Sequence, residues 1–110
     1  MDMILNRKSR YVLVMSSKPI ELGSNLSAFF DELSKYIGLF GLAKLSPYLV
    51  KKIGENEFIF RMARGSEKEF ILALSFVKLN GVAFYSILTS GTIKSLIRKY
   101  NEKKSMLVAH

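Results

Sequence analysis

The side chains of this chain best suited to hold a ligand are cations at regular spacing. Lys94 and Arg98 stand four residues apart, and so do Lys99 and Lys103. They flank an apolar stripe of Ile93, Leu96, Ile97 and Tyr100. On a helix, four-residue spacing lines side chains up along one row. Their aliphatic stems can then lie on apolar surface while the charges face outward. Two such rows can hold a phosphate backbone, although Lys103 and Lys104 would also complement a helix C-terminus. Ser90-Gly91-Thr92 stands directly before this helix. Its amides and hydroxyls meet the positive end of the helix dipole, which suits either an anion or a plain N-cap. A further basic group, Arg7-Lys8-Ser9-Arg10, leads into the first strand. The candidate phosphate-contacting residues are therefore Arg7, Lys8, Arg10, Ser90, Gly91, Thr92, Lys94, Arg98, Lys99 and Lys103.

The rest of the composition excludes more than it offers. The 110 residues hold 17 Lys+Arg against 9 Asp+Glu, a net charge of +8. Six of those eight excess charges lie in residues 1–10 and 90–110. A basic balance of this kind attracts polyanions. There is no cysteine, and the single histidine is His110. Disulfides, thiolate or His-cluster metal sites and a His-based triad are thereby excluded. Asp31 and Glu32 are adjacent on a helix and point in different directions. Glu55 and Glu57 flank a turn, and Glu67 and Glu69 suit a first helical turn. No catalytic residue, metal ligand or bound cofactor is expected. No apolar run approaches the ~18 residues of a membrane span, and Met1-Asp2 opens without a signal segment. The expected location is cytoplasmic, with no membrane partner.

These residues need a scaffold, and hydrophobic periodicity supplies one. Residues 10–16 read as a β-branched strand, followed by a loop over 17–25. Leu26, Phe29, Phe30, Leu33, Tyr36, Ile37 and Phe40 recur at helical spacing. Ser24 or Asn25 can cap this helix and Gly38 or Gly41 can stop it. Residues 44–53 and 58–63 read as strands joined by a turn at Gly54-Glu55-Asn56-Glu57. Ser66 and Glu69 have capping-box spacing. The helix they open carries Phe70, Ile71, Leu74 and Val77 on one side and Leu72, Phe76 and Leu79 on the other. Asn80-Gly81 is a turn, residues 82–89 a strand, and Ser90-Gly91-Thr92 begins the basic helix.

The order β-α-β-β-α-β-α is that of an α+β, ferredoxin-like split βαβ sandwich, also the shape of the RNA-recognition motif. The expectation is a four-stranded antiparallel sheet with two packed helices and an extra C-terminal helix. All 110 residues form one domain, with a core over about 7–104 and a tail over 105–110. The first strand alternates Tyr11, Leu13 and Met15 with Val12 and Val14. The last alternates Val82, Phe84 and Leu88 with Ala83, Tyr85 and Ile87. Strands apolar on both sides imply a sheet covered on both faces. Residues 57–62 lack the basic-Gly-aromatic opening of a base-stacking strand. Cover by the last helix or a partner is therefore favoured over base stacking. Tyr11, Phe60, Phe76 and Tyr85 are the candidate partner-binding residues.

Residues 85–94 read Tyr-Ser-Ile-Leu-Thr-Ser-Gly-Thr-Ile-Lys and run into a basic amphipathic helix. This segment resembles the Ser-Gly-Thr-Ile segment of archaeal ribonuclease P protein component two, counterpart of the eukaryotic subunit Pop-five. Arg10-Tyr11-Val12-Leu13 resembles the family's opening strand, and Leu39-Phe40-Gly41 the end of its first helix. The order of elements agrees over about residues 7–104. The resemblance implies a non-catalytic protein subunit of ribonuclease P, which removes the 5′ leader of precursor tRNA with chemistry carried by the RNA and its Mg2+. It also implies the ribonuclease P RNA and the barrel-fold protein component three as partners, in a heterotetramer around a self-paired small subunit. Alternatives are a stand-alone single-stranded RNA-binding module of the RNA-recognition-motif shape, a homodimeric effector-binding domain, and a membrane-surface protein using the basic helix.

Overall fold

The computed structural model describes residues 9–108. Arg7 and Lys8 lie outside the described residues. The elements run β1 (Ser9–Ser16), a 3-10 turn (Gly23–Asn25), α1 (Leu26–Leu45), β2 (Tyr48–Gly54), β3 (Glu57–Ala63), α2 (Glu67–Leu74), β4 (Lys78–Leu79), β5 (Val82–Ser90) and α3 (Ile93–Val108). The sheet order is β2-β3-β1-β5-β4 with every pairing antiparallel. This is the ferredoxin-like fold with one strand more than expected. The extra strand follows from Asn80-Gly81. Both residues have positive φ, 53° and 78°, as a two-residue hairpin turn requires. The residues before them must then pair with β5, Lys78 with Ala83 and Leu79 with Val82. α2 accordingly ends at Leu74, and Leu79 is a buried strand residue rather than part of a helix face.

Two apolar layers sandwich the sheet. On one face α1 and α2 close over Val12, Val14, Phe58, Phe60, Met62, Val82 and Phe84. Phe29 is the hub of this layer: it stacks on Phe60 at 5.3 Å and meets Phe84 edge-on at 5.1 Å. On the other face Leu96 of α3, 1% exposed, seats on Leu13 and Ile59, both fully buried. Tyr11, Ile87, Leu88, Ile97 and Tyr100 surround that contact. The expected cover by the last helix is what the fold provides. α3 also runs on to Val108, so residues 105–108 continue the helix where a tail was expected.

Several local expectations change. The β1–β5 register slips between Leu13, which pairs with Leu88, and Val14, which pairs with Ser86. Ile87 is the extra residue of a bulge, and a bulge breaks the alternation of a strand. Leu88 therefore joins Ile87 under α3 instead of facing α1 with Phe84. Gly38 sits at φ 74°, ψ 172° and kinks α1 rather than ending it. Past the kink the helical phase is reset. Leu42 packs on the core and Leu45 is buried, while Leu39 and Phe40 are 79% and 94% exposed. Neither Ser24 nor Asn25 caps α1; both side chains donate back to the Glu21 carbonyl, at 3.2 and 2.7 Å. The Ser66–Glu69 capping box is not formed. Instead Glu67 Oε1 accepts from the Gly65 amide at 2.6 Å.

α3 is latched at its middle. The Tyr100 hydroxyl donates to Glu57 Oε2 at 2.5 Å. Gly54 leaves room for that carboxylate, since a Cβ there would overlap Glu57 Oε1. The hydrogen bond to Glu57, with partial burial and the carboxylate charge, pushes the Tyr100 phenol up to about 12. In the unfolded chain it ionises near ~10. The folded state therefore holds this proton more tightly. The stabilisation is complete below about pH 10 and lost as pH rises to about 12. Spectrophotometric titration should show one late phenol, and Glu57→Gln should return it toward ~10; a late phenol unaffected by that change would refute the latch. Phe29→Ala should lower the unfolding free energy in urea by about 3–5 kcal/mol.

Candidate nucleic-acid interface

Burying the apolar stripe of α3 turns its charges outward. Lys94, Arg98, Lys99, Lys103 and Lys104 are all exposed, against one acid, Glu102. Among the described residues none of the five forms an ion pair. Lys99 Nζ reaches the Thr89 carbonyl at 3.5 Å, and Lys104 Nζ lies 5.6 Å from the centre of the Tyr100 ring. The other two helices differ. α1 and α2 together carry three lysines and four carboxylates. Lys35 pairs with Glu32 at 2.6 Å and Lys44 approaches Glu69 at 3.9 Å. The α3 side of the molecule is thus electropositive, and the α1–α2 side is nearly neutral.

A second basic feature lies at the start of α3. Ser9, Arg10, Arg64 and Gly91 line an open cleft of about 330 Å³. A Cβ on Gly91 would sit 3.6 Å from Arg10 Nη1, so the guanidinium lies against the turn into α3. Arg10 Nε donates to Glu67 Oε2 at 3.0 Å, which fixes its orientation. Burial works to raise the Glu67 carboxyl. Hydrogen bonds from its own amide and that of Gly65, with Arg10 beside it, outweigh burial and hold it below its usual range. Arg10 and Gly91, far apart in sequence, thus meet at one cleft. Arg64 follows a strand with no motif around it, so the sequence alone carries no signal for it.

The Ser90-Gly91-Thr92 turn is more capped than open. Thr92 Oγ1 accepts from the Ser95 amide at 3.1 Å, and Ser90 Oγ accepts from the Thr92 amide at 3.4 Å. Ser90 is buried. Its hydroxyl serves the turn rather than facing solvent, and Thr92 is the N-cap of α3.

The four partner candidates do not form one surface. Phe60 is 0% exposed, stacked on Phe29 and tilted against Phe70, so no partner can reach it. Alternation in β3 placed it on an apolar face but could not say that two helices close that face. Tyr11 is half-buried beside α3. Phe76 and Tyr85 are exposed, but on opposite sides of the sheet. Phe76 stacks on Tyr36 at 5.1 Å. With Ile37, Glu69, Leu72 and Ala73, the pair lines an apolar groove of about 420 Å³ between α1 and α2. Further along α1 stand the exposed Leu39 and Phe40. Five of the seven exposed large apolar side chains among the described residues thus stand on this side, and patches of this kind mark interaction sites.

Among the described residues no three His, Cys, Asp or Glu side chains gather as a metal would need. No helix of the described residues is long and apolar enough to cross a membrane.

Comparison with known proteins bears on this arrangement. No curated protein sequence matches. Among solved structures, a chain of the cryo-EM structure of yeast ribonuclease MRP superimposes with a TM-score of 0.63 at 12% identity. The match covers 94% of this chain and 95% of that one. It supports the fold. A sequence model of the Rpp14/Pop5 family matches residues 3–101. The protein belongs to the Rpp14/Pop5 family, a family of ribonuclease P/MRP protein subunits.

Proposed function

We propose that the protein is a non-catalytic, RNA-binding and assembly subunit of ribonuclease P, acting in the cytoplasm on the 5′ leader of precursor tRNA. The observation that carries this reading is the separation of charge. Five cations project from α3 with no ion pair among the described residues, while the α1–α2 side is nearly neutral and apolar. The mechanism is electrostatic. Lys94, Arg98, Lys99 and Lys103 neutralise crowded phosphates, with Arg10 and Arg64 extending the surface past the start of α3 and Arg7 and Lys8 supplying further charge. This displaces condensed counterions, stabilises the folded RNA and lowers the Mg2+ concentration it needs. Mg2+ stays with the RNA, which performs the cleavage.

The α1–α2 groove, with Phe76, Tyr36, Leu39 and Phe40, is the surface for the barrel-fold component three. Tyr85, on the opposite face, is free for a second contact in a heterotetramer built on two copies of this chain.

With ribonuclease P RNA and component three at limiting Mg2+, adding this chain should stimulate precursor-tRNA cleavage; no stimulation by a folded chain would discard the subunit role. Lys94→Ala should weaken RNA binding evenly across sequences and flatten the log–log salt slope by roughly 0.7–0.9. An unchanged slope removes Lys94 from the interface. Phe40→Ser should leave the melting temperature unchanged, because the side chain is 94% exposed, and abolish co-elution with component three.

A further inference from the structure

α3 covers only part of its face of the sheet. It packs over β5, β1 and the middle of β3 at Ile59, leaving the edge strand β2 and the Arg61 end of β3 less protected. The register fixes what lies there. Ser90 pairs with Tyr11, Tyr11 with Arg61, and Arg61 with Tyr48. Directly opposed residues on neighbouring strands point to the same face. These four side chains therefore form one row across β5, β1, β3 and β2, on the α3 face and level with the start of α3. Strand spacing makes this row about 14 Å long.

Tyr48, at the edge of the sheet, is 57% exposed. The Arg61 guanidinium lies 5.0 Å from the centre of its ring. Lys51 pairs with Ile59, which packs against Leu96, so Lys51 is on the same face, and it is exposed. The nearby carboxylate on this face, Glu57, is engaged by Tyr100. The outer half of the face thus offers an exposed aromatic ring, a planar guanidinium beside it and a further cation, continuous with the basic surface of α3. Aromatic rings and guanidinium planes are platforms for unpaired bases, while neighbouring cations hold the phosphates.

We propose that the Tyr48–Arg61 pair is a stacking site for an unpaired nucleotide, with Lys51 holding its phosphate. The site rests on the reading of the protein as an RNA-binding subunit and narrows it. The RNA presented to β2 and β3 is single-stranded, whereas the cations of α3 accept any phosphate backbone. Stacking and phosphate contact differ in their salt dependence, since only the second releases counterions.

The test uses the full chain, a labelled ten-nucleotide oligouridylate and an RNA duplex of equal length, with binding followed by anisotropy across a salt series. Tyr48→Ala should weaken single-strand binding by about 5- to 150-fold at every salt concentration, with the slope unchanged. It should leave duplex binding alone. Tyr48→Phe should bind like the wild type, and Tyr48→Leu, which keeps apolar bulk on the edge strand, should bind like Tyr48→Ala. Arg61→Lys, which keeps the charge but not the plane, should lose affinity without changing the slope. Equal single-strand binding by Tyr48→Ala and wild type overturns the stacking site. Equal loss on duplex and single strand also overturns it. In either case a flattened slope for Lys94→Ala leaves the RNA-binding reading standing. Failure of the wild type to bind either RNA removes both.

Discussion

The contact of Leu96 with Leu13 and Ile59 is the constraint on which the rest of the molecule depends. The central strands are apolar on both sides, so each face of the sheet needs a cover. α1 and α2 take one face. For the other, the described chain offers a single helix, and that helix has a narrow stripe of Ile93, Leu96, Ile97 and Tyr100. Once Leu96 is seated and Tyr100 is bonded to Glu57, the rotation of α3 about its axis is fixed. All five cations then face solvent. The charge that distinguishes this protein is displayed by the same packing that completes its core.

This arrangement assigns different chemistry to the two sides of a thin domain. On the α1–α2 side, carboxylates and lysines pair with one another and leave an apolar groove between the helices. On the α3 side, positive charge accumulates with almost no acid to offset it. A nucleic acid and a protein could therefore occupy the two sides at once without competing. The kink at Gly38 belongs to the same division. It takes Leu39 and Phe40 off the core stripe of α1 and adds them to the neutral surface.

Much of the fold could be read from sequence because its signals are local. The switch between period-two and helical spacing located β1, α1, β3 and α3, and Asn80-Gly81 marked the turn before β5. What escaped depends on pairing between strands. The two-residue β4 has no periodicity of its own and exists because the hairpin geometry brings it against β5. The slip between Leu13 and Val14 cannot be seen in either strand alone, so simple alternation puts Leu88 on the wrong face. Phe60 was placed on an apolar face, but alternation does not reveal which face the helices close. The site divides in the same way. The cations of α3 were visible as a helical pattern within one segment. Arg64, Arg61 and Tyr48 become notable only when turns and register set them beside Gly91, Tyr11 and one another.

The bulge at Ile87 also sets the face from which the chain leaves β5 for α3. Were β5 to pair with β1 at its present length but without the bulge, Ile87 would oppose Leu13 and the alternation would be regular. Leu88 would then turn toward α1, into a layer already filled by Phe84 and Phe29. Ser90 would rotate to the opposite face, and the chain would leave the sheet on the side already occupied by α2. Loss of the bulge, with no residue and no charge changed, would thus leave the second face bare and scatter the basic surface. In this segment the pairing register, rather than residue identity, decides where the charges of α3 are displayed.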